Sequence, residues 1–262
     1  MYTRFPSLIV KTGSAGGGSY DSDAQAFFTA AGITSTTEKD AWNTFVVSAK
    51  ASGYYSKFYY FYPFIGGDAT KHSYNAINTA NYQMTWTGTI THNSNGVTAG
   101  ASAKGSTGFN SGSFFTTTSA HIGVYLNQTG LSGIDIILFD AALGTNAIAY
   151  DTTSGGTAEF LNGKDTPYTS LSSGLVVANL FDDAGDGYVE LYNNSTLVSS
   201  TYMGINSPAS GTELIYFGAY LPIYGSTANL RAAWAAQSFT SAQMTAFNTH
   251  LQTFQTSLSR NL

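Results

Sequence analysis

An antiparallel β-sandwich with a few flanking helices is the fold predicted by this sequence, on three observations. From Tyr82 onward the chain is a succession of short β-prone runs separated by Gly, Asn and Ser, the punctuation of sandwiches and barrels. Apolar residues at helical spacing are confined to residues 21–53 and 239–262. A hydrophobic content of 43%, with 15% aromatic residues, supplies a core without a single cysteine.

Taken from the N-terminus, the chain divides into four expected parts: an arm over 1–20, a helical hairpin over 21–53, a sandwich over 54–238 and a closing helix over 239–262. Gly13 and Gly16-Gly17-Gly18 make the arm costly to fix, so it is expected to order against something else or to remain a loose leader. Asp21 caps the first helix, with Ala24, Phe27, Phe28 and Ala31 on one face and Gly32 at its end. Ser35-Thr36-Thr37-Glu38 is a capping-box pattern, with Ser35 and Glu38 expected to satisfy each other's amides. Trp42, Phe45, Val46 and Ala49 continue that helix to Gly53. Tyr54 to Tyr62 is too aromatic for a surface helix and is read as extended, stopped by Pro63.

The runs that follow are Tyr82–Thr91, Ser113–Thr118, Ile122–Asn127, Ile134–Asp140, Ala147–Tyr150, Leu175–Phe181, Tyr188–Tyr192, Thr196–Tyr202 and Leu214–Gly218. Asn193-Asn194 is the expected turn of the hairpin from Val189 to Val198, because Asn tolerates positive φ. Thr240 and Gln243 form a second capping box, after which Met244, Phe247, Leu251, Phe254 and Leu258 need a surface to pack on. Burying such side chains contributes roughly 1.5–3 kcal/mol each.

Charge narrows the functions available. Charged residues are 10% of the chain against about 25% in ordinary domains. A net charge of -5 and a pI near 5.1 argue against nucleic acid as a partner. No window of 18 apolar residues is present, so no transmembrane helix is expected. Leu8-Ile9-Val10 is too short for the core of a signal peptide. Without cysteine there is neither a disulfide framework nor a thiolate metal site.

Three stretches carry a resemblance. They are Tyr62-Pro63-Phe64-Ile65-Gly66-Gly67 with Ala69, His72, Tyr74 and Asn75; then Leu191-Tyr192-Asn193-Asn194 with Ile215-Tyr216-Phe217-Gly218-Ala219; and Phe239 to Gln243 through Phe254 to Arg260. Together they resemble the concanavalin A-like (laminin-G-like) domains of tailed-phage virion proteins, from about Asp21 to the end. Asn194 departs from the glycine more usual there, which bears only on the turn type. The resemblance implies a jelly-roll-type sandwich on a phage particle, as a tail, fibre or capsid-associated protein. Its expected partners are other virion proteins, copies of itself and a host-surface glycan.

Catalysis is not expected. Sandwich glycosidases need two carboxylates facing a cleft, and Glu38, Glu159, Glu190 and Glu213 show no such spacing. Asp135 and Asp140 flank one strand at odd spacing, which puts them on opposite faces. No Gly-x-Ser-x-Gly or His-Glu-x-x-His is present, and His72, His92, His121 and His250 are scattered. Asp182 to Gly187 has part of a calcium-loop spacing, but Ala184 and Asn193 stand where oxygen ligands are required. It is read as a hairpin turn, with no metal and no cofactor expected. Sugar sites join aromatic platforms to short polar side chains. Tyr220 and Tyr224, beside Pro222, are the binding residues singled out, as glycan or protein contacts. The alternatives to a virion component are a free-standing carbohydrate-binding module and, less favoured by the carboxylates, a glycoside hydrolase.

Overall fold

Asp21, Ser35 and Thr240 each cap a helix with a side-chain oxygen. The computed structural model describes residues 19–100, 103–116, 119–127, 134–140, 147–151, 157–160, 164–167, 173–183, 186–194, 196–202, 213–216 and 228–262. Its helices are α1 (Ser22–Ala31), α2 (Thr36–Ala51), the short α3 (Ala69–Ser73) and α4 (Ser241–Ser257). Gly32 ends α1 at φ 66. Thr240 and Gln243 close the reciprocal box on α4. At α2 only half of the expected box forms: Ser35 accepts from the Glu38 amide, while the Glu38 carboxylate takes the Gly66 N–H at 2.8 Å. A local cap has been exchanged for a tertiary one.

The strands, in chain order, are β1 (Phe58–Tyr62), β2 (Thr85–Thr87), β3 (Ile90–Asn93), β4 (Gly96–Ala99), β5 (Lys104–Asn110), β6 (Ser119–Asn127), β7 (Ile134–Asp140) and β8 (Ala147–Asp151). They continue as β9 (Thr157–Phe160), β10 (Lys164–Pro167), β11 (Gly174–Asp183), β12 (Asp186–Asn193), β13 (Thr196–Tyr202), β14 (Glu213–Tyr216) and β15 (Asn229–Ala236). One sheet runs β13-β12-β11-β6-β15-β4-β3, with β1 added on β15; the other runs β2-β5-β14-β7-β8. All described pairings are antiparallel. The chain is therefore mainly β, an antiparallel sandwich with flanking helices.

Several strand expectations need correction. Residues 55–57 form a 3-10 turn before β1, and the expected strand from Ser113 instead begins in another such turn, Ser111–Ser113, with an isolated bridge at Thr116. The run 82–91 splits into β2 and β3, which join different sheets. The ladder of β7 with β8 shifts between Ile136 and Leu138, interrupting the alternation used to separate Asp135 from Asp140.

The larger sheet is apolar on both faces. Along β6, Ala120, Ile122, Val124 and Leu126 enter the core between the sheets, while Tyr125 joins the cluster under the helices. Strands β15 and β1 each carry a bulge that resets their alternation. Beyond it, Ala233 and Ala235 face the smaller sheet, and Ala232 and Trp234 face the helices. Trp234 lies so close to β6 that a Cβ on Gly123 would meet its ring at 2.2 Å. Phe61 stacks on Trp234 at 5.5 Å, with Trp42 at 5.2 Å on Phe61 and Phe254 at 5.7 Å on Trp42. That seam ties β1 and β15 to α2 and α4.

A buried guanidinium fixes the end of α4. Arg260 is 1% exposed. It donates to Gln255 Oε1 at 3.0 Å, to the carbonyls of Phe64 and Pro63 at 2.9 and 3.1 Å, and to that of Arg231 at 3.2 Å. Arg231 in turn donates to the Arg260 carbonyl. Burial first, then the charge of Arg231, pulls the Arg260 pKa down to about 9. Arg260→Met should cost about 2–4 kcal/mol by leaving these carbonyls without a donor. Arg260→Lys should recover only part of that, because an ammonium lacks the planar fork. Urea unfolding of the two variants checks this; a loss under 1 kcal/mol for Arg260→Met would contradict it.

Candidate functional site

The helices do not cover the whole sheet. They lie over β1, β15, β6 and β11 and reach β12 at Tyr192, which is 9% exposed. Strand β13 has no buried residue. Outside that edge, the ribbon β9–β10 lies between β8 and β13, the end strands of the two sheets. What remains open is the helix-side face of β12 and β13.

That face is composed by strand alternation. Val189 and Leu191 belong to the core between the sheets, so Tyr188, Glu190 and Tyr192 point the other way. Tyr188 pairs with Tyr202, Glu190 with Ser200 and Tyr192 with Leu197. The rings of Tyr188 and Tyr202 meet edge to face at 5.6 Å, and they are 37% and 55% exposed, with Leu197 at 46%.

A bulge creates the pair. Asn193 pairs with Thr196, and uninterrupted counting from there would set Tyr188 opposite Thr201 and turn Tyr202 to the other face. The register shift between Leu191 and Tyr192 brings the two tyrosines together. Strand β12 runs through Asn193, so the turn begins at Asn194, one residue later than the expected Asn193-Asn194 turn. Asn194 takes φ 55 and accepts from the Leu175 N–H at 3.1 Å while donating to the Ser173 carbonyl at 3.3 Å. A glycine there could hold the turn but not the start of β11.

Beside the platform a polar relay runs from half-buried Glu190 across the sheet under the helices. Tyr192 donates to Glu190 Oε2 at 2.9 Å, and Asn179 Nδ2 reaches the same oxygen at 3.4 Å. Asn179 also exchanges two bonds with the Phe239 backbone, at 2.9 and 3.0 Å. His121 Nε2 accepts from Trp234 Nε1 at 2.9 Å. Its proton is thereby placed on Nδ1, which donates to Asn179 Oδ1 at 3.1 Å. Burial, the largest cause, raises the Tyr192 pKa, as do its bond to Glu190 and that carboxylate's charge.

Other candidates lead elsewhere. The cleft between α2 and α4, lined by Thr44, Phe45, Ser48, His250, Thr253 and Ser257, holds about 110 Å³, well under the roughly 300 Å³ of small ligand sites. On α4, the hydroxyls of Thr245, Thr249, Thr253 and Ser257 each donate to the carbonyl four residues back, so their donors are already used. His72 and His92 meet through Nδ1 at 3.1 Å, and no group of three metal-ligating side chains occurs among the described residues. Backbone pairing of Asp182 with Gly187 and Asp183 with Asp186 is that of a hairpin. Tyr220 and Tyr224 lie outside the described residues.

No protein-family model matches the chain, and no curated protein matches it in sequence. Among solved structures, it is similar to a mutant Trypanosoma rangeli sialidase displaying trans-sialidase activity, with TM-score 0.56, 10% identity, and 82% of this chain on 39% of that one. It is also similar to Trypanosoma rangeli sialidase in complex with sialic acid, with TM-score 0.50, 11% identity, and 76% of this chain on 34% of that one. The likeness is one of fold. The chain spans about two fifths or less of those sialidases. No helix of the described residues is long and apolar enough to cross a membrane.

Acid should loosen the relay. Burial drives the His121 pKa from 6.5 down to about 3. Its folded value is below its unfolded value, so the stability held by the neutral ring is whole above pH 6.5. It is lost as pH falls from there toward 3, by about 1.4 kcal/mol per pH unit. His72, also lowered to about 3 by burial and by His92 and Arg260, adds to the same slope. Calorimetric melting between pH 7 and pH 4.5 should show His121→Gln starting lower but losing less than the native chain. Equal losses would mean that His121 is not a titrating group of the fold.

Proposed function

We propose that this chain is a non-catalytic, lectin-like sandwich that binds glycan on the open face of β12 and β13. The observation that carries this reading is the exposed pair Tyr188 and Tyr202, held on rigid strands beside Glu190 and Ser200. Sugar rings offer C–H faces and rings of hydroxyls; aromatic side chains take the first and short polar groups the second. Strands position such groups more firmly than loops do.

The setting we propose is a tailed-phage particle, with the domain as a tail, fibre or capsid-associated component that attaches to a host surface. The three stretches that resemble concanavalin A-like virion domains support it. In the fold two of these stretches meet, since Arg260 of the third grips Pro63 and Phe64 of the first. The same site on a free-standing carbohydrate-binding module is the alternative, and protection of residues 1–20 from protease only in a defined oligomer would favour the particle.

An oligosaccharide array tests the binding reading. Native chain should be retained on a discrete set of glycans, and Tyr188→Ala/Tyr202→Ala should lose retention at least about tenfold, the equivalent of about 1.4 kcal/mol, with little change in melting temperature. Undiminished retention would overturn this site, and its loss in Tyr220→Ala/Tyr224→Ala instead would move it to that loop. A double variant that lowers the solution mass, with no glycan retained by native chain, would make the face a contact between copies.

A further inference from the structure

We infer that the β12–β13 face takes a neutral sugar chain and turns acidic sugars away; this rests on the glycan reading above. The decisive residue is Glu190. It stands between Tyr188 and Tyr192 on the open face and opposite Ser200. Among the described residues, both of its bonds, from Tyr192 and from Asn179, fall on Oε2. The carboxylate is thus fixed in orientation, with Oε1 left to accept from a ligand. A fixed carboxylate beside an aromatic ring is a good acceptor for sugar hydroxyls and a poor neighbour for another anion.

Nothing on these strands offsets that charge. From Gly174 to Tyr202 the sequence has no Lys or Arg, and it carries Asp182, Asp183, Asp186 and Glu190. Recognition of a sialic acid, uronate or phosphate is favoured by a guanidinium or ammonium in contact with the ligand. Lys57, which also lies on the helix side of the sheet, has its ammonium on the Ser238 carbonyl at 2.7 Å and Gln243 Oε1 at 2.8 Å. Within β11, β12 and β13 the face therefore offers donors without charge; Lys164 stands outside them, on β10, which packs on β13.

The test uses array pairs in which the same oligosaccharide is printed with and without a terminal sialic acid or uronate. For each retained pair, native chain should favour the neutral member at least about tenfold, a difference of about 1.4 kcal/mol. Glu190→Gln keeps an acceptor for Tyr192 and removes the charge, so it should bring the two members within about threefold of each other. Equal or better retention of acidic members, lost in Tyr188→Ala/Tyr202→Ala, would overturn this inference and leave the site standing. An unchanged ratio in Glu190→Gln would also overturn it. Retention of no glycan, or retention indifferent to the tyrosines, would remove the glycan reading and this inference with it.

Discussion

A sheet that is apolar on both faces must be covered on both, and the rest of this structure follows from that. The smaller sheet covers one face, where Ile122, Val124, Val176 and Leu230 of the larger sheet share a core with Phe109 of β5. The helices cover the other through Trp42, Phe45, Phe247 and Phe254, packed on Phe61 and Trp234. Arg260 then joins the end of α4 to the chain leaving β1. The helices cover β1, β15, β6 and β11, and β13 falls outside their reach. An open face with two tyrosines is the consequence.

Helix caps were legible in the sequence because a cap is local chemistry: Asp21, Ser35 and Thr240 each bind an amide within three residues. Strand β15 was not legible. Asn229-Leu-Arg-Ala-Ala-Trp-Ala-Ala has none of the β-branched residues that mark strands, and alanine is the best helix former. It is a strand because it is hemmed in on every side, by β6, β1 and β4 in the sheet and by both cores above and below. Small side chains are what so crowded a position admits. The expected continuous strand over 82–91 failed for a different reason: two short strands that leave for different sheets have the composition of one long strand.

The candidate site was half legible. The runs 188–192 and 196–202 were expected as a hairpin, and both are strands. Their tyrosines were not brought together in advance, because a hairpin without a bulge places Tyr188 and Tyr202 on opposite faces. One shifted residue decides the matter, and side-chain composition does not announce it. The relay of Glu190, Asn179, His121 and Trp234 was hidden for a similar reason, since its members come from four strands whose order only the fold supplies.

The most direct test of the account is to watch the backbone amides of this chain by NMR while neutral cello-, xylo-, malto- and chito-oligosaccharides are added in turn. A binding oligosaccharide should shift amides of β12 and β13 around Tyr188, Glu190 and Tyr202, and leave those of α2 and α4 in place. Shifts centred on the helices, or on residues remote from that face, would contradict it.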